Sequence, residues 1–172
     1  MKSKLGVICI ILFLFLTGCV NKEFSEILQD ERIDILVHQE EVDNGVVIFY
    51  VPNIKGEKQK VNFEARFIQK KLFGWEETYD RGGTIGTLKD NLYSMYLKKY
   101  SKKSPFPMLF GEFTNPEIET IKIEYENDTK VIEAKIVENN GKHFWFAFIE
   151  EDKIKFTIKG YSINGELLEK VE

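Results

Sequence analysis

Hydrophobic and polar residues alternate along much of this chain of 172 residues, a period of two that is typical of strands with one face in water. The alternation is clearest around Ile123, Ala134 and Phe156. Residues 143–149 do not alternate, which predicts a central strand covered on both faces. We therefore expect Trp145 to be buried in the core, with the neighbouring phenylalanines on the opposite side of the same sheet.

Turn-forming residues divide the predicted strands into antiparallel hairpins. Asp43-Asn44-Gly45 lies between two β-rich runs and suits the positive φ angles of a tight turn. Asn164-Gly165 carries the same signal near the end of the chain. Gly74 is the predicted turn between a strand that begins near Val61 and a returning strand over residues 75–79. We expect three hairpins at these positions.

Helical spacing occurs in two places. Residues 24–28 carry apolar side chains at positions i, i+3 and i+4, which predicts a short amphipathic helix at the start of the folded region. Thr87 and Asp90 resemble a capping box, and the apolar residues after them keep a helical period as far as Tyr100. A second helix is therefore predicted there.

The second half of the chain holds roughly six short strands at regular spacing, which predicts a small immunoglobulin-like β-sandwich. Residues 101–107 contain two prolines and two lysines and are the best candidate for a linker in the chain. We therefore predict an α+β fold that is mostly β. An N-terminal α+β domain, residues 19–104, would contain the helix and antiparallel hairpins, and residues 105–172 would form the sandwich-like domain.

The first residues have the layout of an export signal. Lys2 and Lys4 precede an uncharged apolar run over residues 5–16. A helix of that length covers about 18 Å of a hydrocarbon core of about 30 Å. The run is therefore too short to span a membrane.

Leu16-Thr17-Gly18-Cys19 closes that run and resembles the lipobox of bacterial lipoprotein signal peptides. The resemblance implies that residues 1–18 are a signal peptide removed before Cys19, and that Cys19 carries a diacylglycerol thioether. Two acyl chains hold a protein stably on a membrane, whereas one holds it only reversibly. The other interpretation is an ordinary secretory signal, or an uncleaved N-terminal helix, that happens to end in a cysteine.

A broader resemblance extends into the mature chain. The lipobox, residues 37–50, residues 70–75, Phe110-Gly111 and Trp145 together look like a group of uncharacterised lipoproteins of Gram-positive bacteria. The likeness covers most of the mature chain, and the group has no assigned activity. It therefore implies class and location only, namely a lipid-anchored protein on the extracytoplasmic face of the cell membrane.

Charge and cysteine content narrow the function further. The chain has 24 basic and 28 acidic residues, and loss of Lys2 and Lys4 would leave 22 against 28. This balance argues against general affinity for nucleic acid or for an anionic bilayer. A content of 43% hydrophobic and 13% aromatic residues predicts a folded globule. Cys9 would leave with the signal and Cys19 would carry the lipid, so we expect no disulfide.

Catalytic and metal-binding motifs do not emerge from the sequence. His38 and His143 are the only histidines, they belong to different predicted strands, and a zinc site would need carboxylates as its other ligands. Residues 81–86 are glycine-rich but lack the spacing of a phosphate-binding loop, so we predict a flexible turn. We therefore predict no catalytic, cofactor-binding or metal-binding residue, and Cys19 is the only predicted site.

Two further features could bind a partner. Lys98, Lys99, Lys102 and Lys103 are a local basic excess that could face anionic lipid or a wall polymer, although a solvated helix end is the favoured interpretation. Trp75 has apolar neighbours and, like Trp145, is predicted to be core.

We expect a non-enzymatic, membrane-anchored extracytoplasmic lipoprotein whose β-rich ectodomain binds an unidentified envelope partner, a protein or a polymer and not a nucleic acid. The alternative is an envelope enzyme whose site is assembled from scattered residues, such as His143 with carboxylates on adjoining loops. A concave pocket with convergent polar groups and perturbed pKa values would favour an enzyme or ligand binder. An exposed apolar patch or a free sheet edge would favour protein binding.

Overall fold

The computed structural model describes residues 23–53, 64–78, 82–85, 92, 94–97, 107–126, 129–150 and 155–172. This part of the chain is mostly β, as predicted, and its strands pair antiparallel. The elements in chain order are α1 (Phe24–Leu28), β1 (Ile33–Val42), β2 (Gly45–Pro52), β3 (Glu64–Lys71), β4 (Gly74–Thr78), β5 (Gly82–Ile85), β6 (Ser94–Leu97), β7 (Met108–Phe113), β8 (Thr120–Tyr125), β9 (Val131–Glu133), β10 (Lys135–Asn139), β11 (Lys142–Phe148), β12 (Phe156–Tyr161) and β13 (Leu167–Val171).

The strands form three sheets. Sheet A has the order β1-β2-β3-β4, sheet B the order β10-β11-β7-β6-β5, and sheet C the order β13-β12-β8-β9. Among the described residues no helix is long and apolar enough to cross a membrane. The predicted signal peptide and Cys19 lie outside the described residues.

The predicted hairpins form, with differences at their turns. Asn44 has a φ of 66° in the turn between β1 and β2, as expected. Gly165 has a φ of 79° in the β12–β13 loop, which is longer than the predicted two residues. In the hairpin of β3 and β4, Gly74 is the first residue of β4, and the turn itself is Leu72-Phe73. The prediction placed that turn too late because glycine was the obvious turn former.

Three hydrophobic clusters hold the layers together. Core 1 lies between sheets A and B, core 2 lies between sheets B and C, and core 3 lies between α1 and the outer face of sheet A. The buried members of core 1 are Val37, Val47, Phe49, Ala65, Phe67, Met108, Phe110, Phe144 and Phe146. Those of core 2 are Leu92, Leu109, Phe113, Ile118, Ile121, Ile123, Ala134, Trp145, Ala147, Ile149, Ile158 and Val171. Those of core 3 are Ile27, Val46, Ile48, Tyr50 and Ile68.

Strand β11 is covered on both faces, which confirms the prediction for residues 143–149. Phe144 and Phe146 belong to core 1 and Trp145 to core 2, because successive side chains of a strand point to opposite faces. Trp145 is 0% exposed. The strand whose sequence lacks polar alternation therefore lies in the middle layer of the molecule.

The helix predicted from Thr87 to Tyr100 is wrong where the structure describes it. Residues Ser94–Leu97 form β6, which pairs with β5 on one side and β7 on the other. The local helical pattern yields because sheet pairing on both sides satisfies the backbone. The predicted flexible turn at residues 81–86 is corrected in the same way, since Gly82–Ile85 is strand β5. Thr87, Asp90 and Tyr100 lie outside the described residues.

The predicted strand through Ala134 is divided between two sheets. Val131–Glu133 pairs in sheet C and Lys135–Asn139 pairs in sheet B. Ala134 is buried in core 2 between those sheets, and its N–H donates to the Ile121 carbonyl at 2.9 Å. The alternation survives the change of sheet because both halves face the same core.

Sheet B takes strands from both sides of the predicted boundary at residue 104, since β6 pairs with β7. Core 1 is likewise shared by strands on either side. The division into two domains stays a prediction. The predicted linker, apart from Pro107, lies outside the described residues.

Candidate functional site: the outer face of sheet C

The outer face of sheet C is the sheet surface that no other described element covers. Along β8, burial alternates strictly, and Ile121 and Ile123 enter core 2. Lys122 and Glu124 point the other way, to solvent. The side chains of β8 that do not enter core 2 therefore form part of this outer face.

A shallow groove of about 410 Å³ crosses this face. Strand β8, strand β9 and the end of β12 with its following loop supply its walls. The lining residues are Thr120, Lys122, Glu124, Val131, Tyr161, Ser162, Ile163 and Gly165. Strand β8 thus contributes three polar side chains to the groove, and the loop after β12 contributes the other lining residues from 162 to 165.

The charged side chains at the groove each contact a neighbour. Lys159 Nζ donates to Glu124 Oε2 at 2.6 Å, and the Tyr161 hydroxyl donates to Glu124 Oε1 at 3.4 Å. Lys122 Nζ lies 5.3 Å from the centroid of the Tyr161 ring, within the range of a cation–π contact. The Lys159 hydrogen bond lowers the pKa of Glu124 and raises the pKa of Lys159. Both groups therefore carry their charge at neutral pH.

Apolar side chains stand out along the rim. Val131 is 51% exposed, Ile163 is 79% exposed and Leu167, at the start of β13, is 48% exposed. Large apolar side chains this exposed and this close to one groove are typical of a binding surface. Strands β9 and β13 are the edges of the sheet, and an exposed edge can pair with a strand of another chain.

The two histidines lie elsewhere and have separate partners. His38 Nε2 lies 3.0 Å from Glu40 Oε2, and Lys135 Nζ donates to the same carboxylate oxygen at 2.6 Å. Burial tends to raise the pKa of Glu40, but its hydrogen bonds with Lys135 and His38 outweigh burial and lower it. His143 stacks on the Phe113 ring at a centroid distance of 5.2 Å. Within the described ranges no three His, Cys, Asp or Glu side chains form a metal-binding group.

The opposite side of the molecule holds a buried charge network that the sequence did not indicate. Arg66 is 7% exposed, and its Nη1 lies 2.6 Å from Glu77 Oε1. Its Nη2 donates to the Tyr50 hydroxyl at 2.7 Å, and that hydroxyl donates to Glu64 Oε2 at 2.7 Å. Burial, together with the Glu64 hydrogen bond, raises the pKa of Tyr50. The network joins β2, β3 and β4 within sheet A.

Asp30, just after α1, connects the helix to this network. It pairs with Arg32 and lies 3.7 Å from Arg66 Nη1, while Arg32 also pairs with Glu77 at 3.1 Å. The hydrogen bond from Arg32 lowers the pKa of Asp30, and burial opposes that effect only in part. These ion pairs fasten the end of α1 to sheet A.

The remaining sequence candidates can also be placed. Trp75 is half-buried and packs against core 3, in agreement with its predicted core role. Glu76 pairs with Lys71 at 2.7 Å whereas Glu77 pairs with Arg66, so these neighbouring carboxylates point to opposite faces of the sheet. The lysines at 98, 99, 102 and 103 lie outside the described residues.

Sequence reasoning missed the groove itself. The alternation around Ile123 predicts that Lys122 and Glu124 face water, but long-range pairing decides which strands lie beside β8. The sequence did contain one signal for the groove. Lys159 and Tyr161 occupy alternate positions of β12 and so share one face, and β12 pairs with β8.

Comparisons of the chain with protein-family models, with curated proteins and with solved structures found no match.

Proposed function

We propose that this protein is a membrane-anchored extracytoplasmic lipoprotein, held by lipid on Cys19, whose ectodomain binds a protein of the cell envelope through the outer face of sheet C. The observation that carries the binding role is the groove on that uncovered face, with paired charges inside and the exposed side chains of Val131 and Ile163 on its rim. Protein interfaces contain both apolar side chains and polar groups that can form hydrogen bonds across the contact, and this face offers both.

The strand order supports an immunoglobulin-like sandwich for the part of the protein that carries the groove. In constant-type immunoglobulin domains one sheet has the order A-B-E-D and the other contains C, F and G. Strands β6-β7-β11-β10 follow the first order, and β13-β12-β8-β9 follows G-F-C with one added edge strand. Core 2 lies between them. On this proposal the binding surface is the exposed face of the G-F-C sheet.

The anchor is supported by the sequence preceding the fold. An apolar run ends in Leu16-Thr17-Gly18-Cys19, and α1 begins at Phe24. Phe24, the first residue of α1, is therefore five residues from the proposed lipid attachment point, and the ectodomain would be held close to the bilayer.

The alternative, an envelope enzyme, has less support. Acid–base catalysis works best with a group whose pKa lies near the operating pH. The pKa values of Glu124 in the groove and of Glu40 beside His38 are both lowered, further from neutrality. Those carboxylates are suited to ion pairing and not to proton transfer.

Site-specific photo-crosslinking on intact cells tests the binding face. A photoreactive amino acid replaces Ile163 at the groove, and a matched variant carries it at Ile35, an exposed apolar residue of β1. We expect a discrete adduct with another envelope protein from position 163 and none from position 35. In a second variant, Tyr161→Ala, the adduct should weaken. Equal adducts from both positions would contradict the proposed face.

A further inference from the structure

The turn between β3 and β4 exposes two large apolar side chains side by side. Leu72 is 88% exposed and Phe73 is 78% exposed. Two-residue hairpin turns normally contain Asn, Asp or Gly, so neither residue is there because the turn requires it. Adjacent exposed apolar side chains at the end of a hairpin are typical of a surface that contacts an apolar partner, such as another protein or a membrane.

Helix α1 begins at the same end of sheet A as this turn. The Phe24 ring lies 4.9 Å from the Trp75 ring, and Trp75 pairs with Lys70 directly behind the turn. The other end of α1 leads away from the turn, because Asp30 contacts Arg66 and Ile33 pairs with Pro52 at the far end of β2. The chain therefore enters the fold beside Leu72 and Phe73.

The proposed lipid attachment point is close to that entry. Cys19 precedes Phe24 by five residues, and an extended chain covers at most about 3.6 Å per residue, or about 18 Å for this segment. An acylated Cys19 would thus hold the turn end of sheet A at the bilayer surface. The groove on sheet C lies beyond sheet B, on the other side of the molecule.

The residues around the turn suit a lipid interface. Lys70 is exposed, and its Nζ lies 5.9 Å from the centroid of the half-buried Trp75 ring. Lys71 pairs with Glu76, so the hairpin adds little net charge. Lysine stems and tryptophan rings are both favourable at the level of the lipid headgroups. Uncharged side chains at the tip do not require an anionic bilayer.

We propose that Leu72 and Phe73 insert into the lipid surface next to the acyl anchor and fix the orientation of the ectodomain on the membrane. This inference rests on the lipid anchor of the proposed function. With the tip inserted, the turn end of sheet A faces the bilayer and the sheet C groove is held away from the anchor.

The test uses the full mature chain purified from cells, with Phe73→Cys labelled by an environment-sensitive fluorophore. The acylated Cys19 does not react, so the new cysteine is the labelling site. The matched control is Ile163→Cys, which lies in another hairpin loop and is 79% exposed. Both proteins are incorporated into phosphatidylcholine vesicles with and without brominated acyl chains, and flotation measures whether they are bound.

We expect emission from position 73 to shift to the blue and to be quenched by brominated chains, at a depth of about 5–10 Å typical of interfacial segments. The emission wavelength of the probe at position 163 should remain that of a probe in water, and brominated chains should not quench it. A protein that floats while the probe at 73 stays in water would overturn the insertion and leave the anchor standing. A protein that does not float would overturn the anchor and the insertion together.

Leu72→Cys gives an independent probe and should report the same insertion. Both cysteine variants should keep the unfolding temperature of the unaltered protein, because the replaced side chains are exposed. A blue shift that appears without vesicles and grows with protein concentration would show that a second copy covers the tip, and it would overturn the lipid assignment.

Discussion

Sheets A and C both pack one face toward sheet B, but their outer faces differ. On sheet A, α1 covers the outer face, and Arg66 pairs with Glu77 at 2.6 Å with side-chain exposures of 9% and 12%. On sheet C no described element covers the outer face, and Lys159 pairs with Glu124 at the same 2.6 Å with exposures of 23% and 34%. Two ion pairs of equal length thus stand in different surroundings.

The contribution of an ion pair to stability therefore depends on how far it is shielded from water, and not on its contact distance alone. Attraction between charges is stronger away from water, and a buried charge left without its partner is costly. An exposed pair contributes little because water solvates each charge when the other is removed. We therefore interpret the sheet A pair as structural, and the sheet C pair as available to a partner.

The largest expected change in stability comes from a residue in core 2, compared with a residue on the outer face of sheet C. Trp145→Ala should lower the free energy of unfolding by about 3–5 kcal/mol, the usual cost of truncating a fully buried aromatic residue. Tyr161→Ala, in the groove, should cost less than about 1 kcal/mol. Chemical denaturation followed by far-UV circular dichroism measures both. A Trp145→Ala protein of nearly unchanged stability would contradict the placement of Trp145 in core 2.

A smaller effect tests the two ion pairs directly. Arg66→Ala should cost about 3 kcal/mol, because it leaves Glu77 poorly compensated in a buried site, although Arg32 still contacts that carboxylate. Lys159→Ala should cost less than about 1 kcal/mol. The same denaturation experiment compares them, and similar losses from the two variants would break the distinction drawn between the faces.

The smallest effect concerns pH. In the folded protein the pKa of Asp30 is lowered, chiefly by the Arg32 hydrogen bond, so the unfolded chain takes up this proton first as the pH falls. The stability that Asp30 contributes is present above its ordinary pKa, about pH 4, and is lost as the pH falls toward the folded value.

Asp30→Asn should therefore lower the unfolding temperature at neutral pH, and its difference from the unaltered protein should shrink in acid. Thermal unfolding across an acid pH series measures this. Glu124→Gln is the control on sheet C, where the pKa is also lowered but the pair is more exposed, and its difference should be smaller throughout. A constant difference for Asp30→Asn at every pH would contradict the assigned linkage.

Local signals predicted the strands and hairpins, and long-range pairing decided the rest. The turn at Asn44 and the covered strand around Trp145 were predictable because a positive φ and a continuous apolar run are encoded within a few residues. The strand at Ser94–Leu97 was not, because its pattern is helical and its partners are distant. The crossover at Ala134 was hidden because the alternation continues through it.

The candidate site was less predictable than the fold. Lys122 and Glu124 could be assigned to a wet face, yet a groove requires knowing that Tyr161 and Val131 stand beside them. In the sequence Arg66 lies between the apolar residues Ala65 and Phe67, a pattern that places it on the polar face of a strand. Its burial and its ion pairs depend on Asp30 and Glu77, which lie on other elements. Burial of a charged residue depends on partners that are far away in sequence.

Metabolic labelling with a fatty-acid analogue, in cells that produce the unaltered chain or Cys19→Ala, tests the proposal that Cys19 carries the lipid anchor. No cysteine follows Cys19 in the sequence, so no other thiol of the mature chain can accept the thioether. We expect label on the unaltered protein. The Cys19→Ala protein should carry no label and should not be held on the membrane by a lipid. Undiminished label on the Cys19→Ala protein would contradict the anchor.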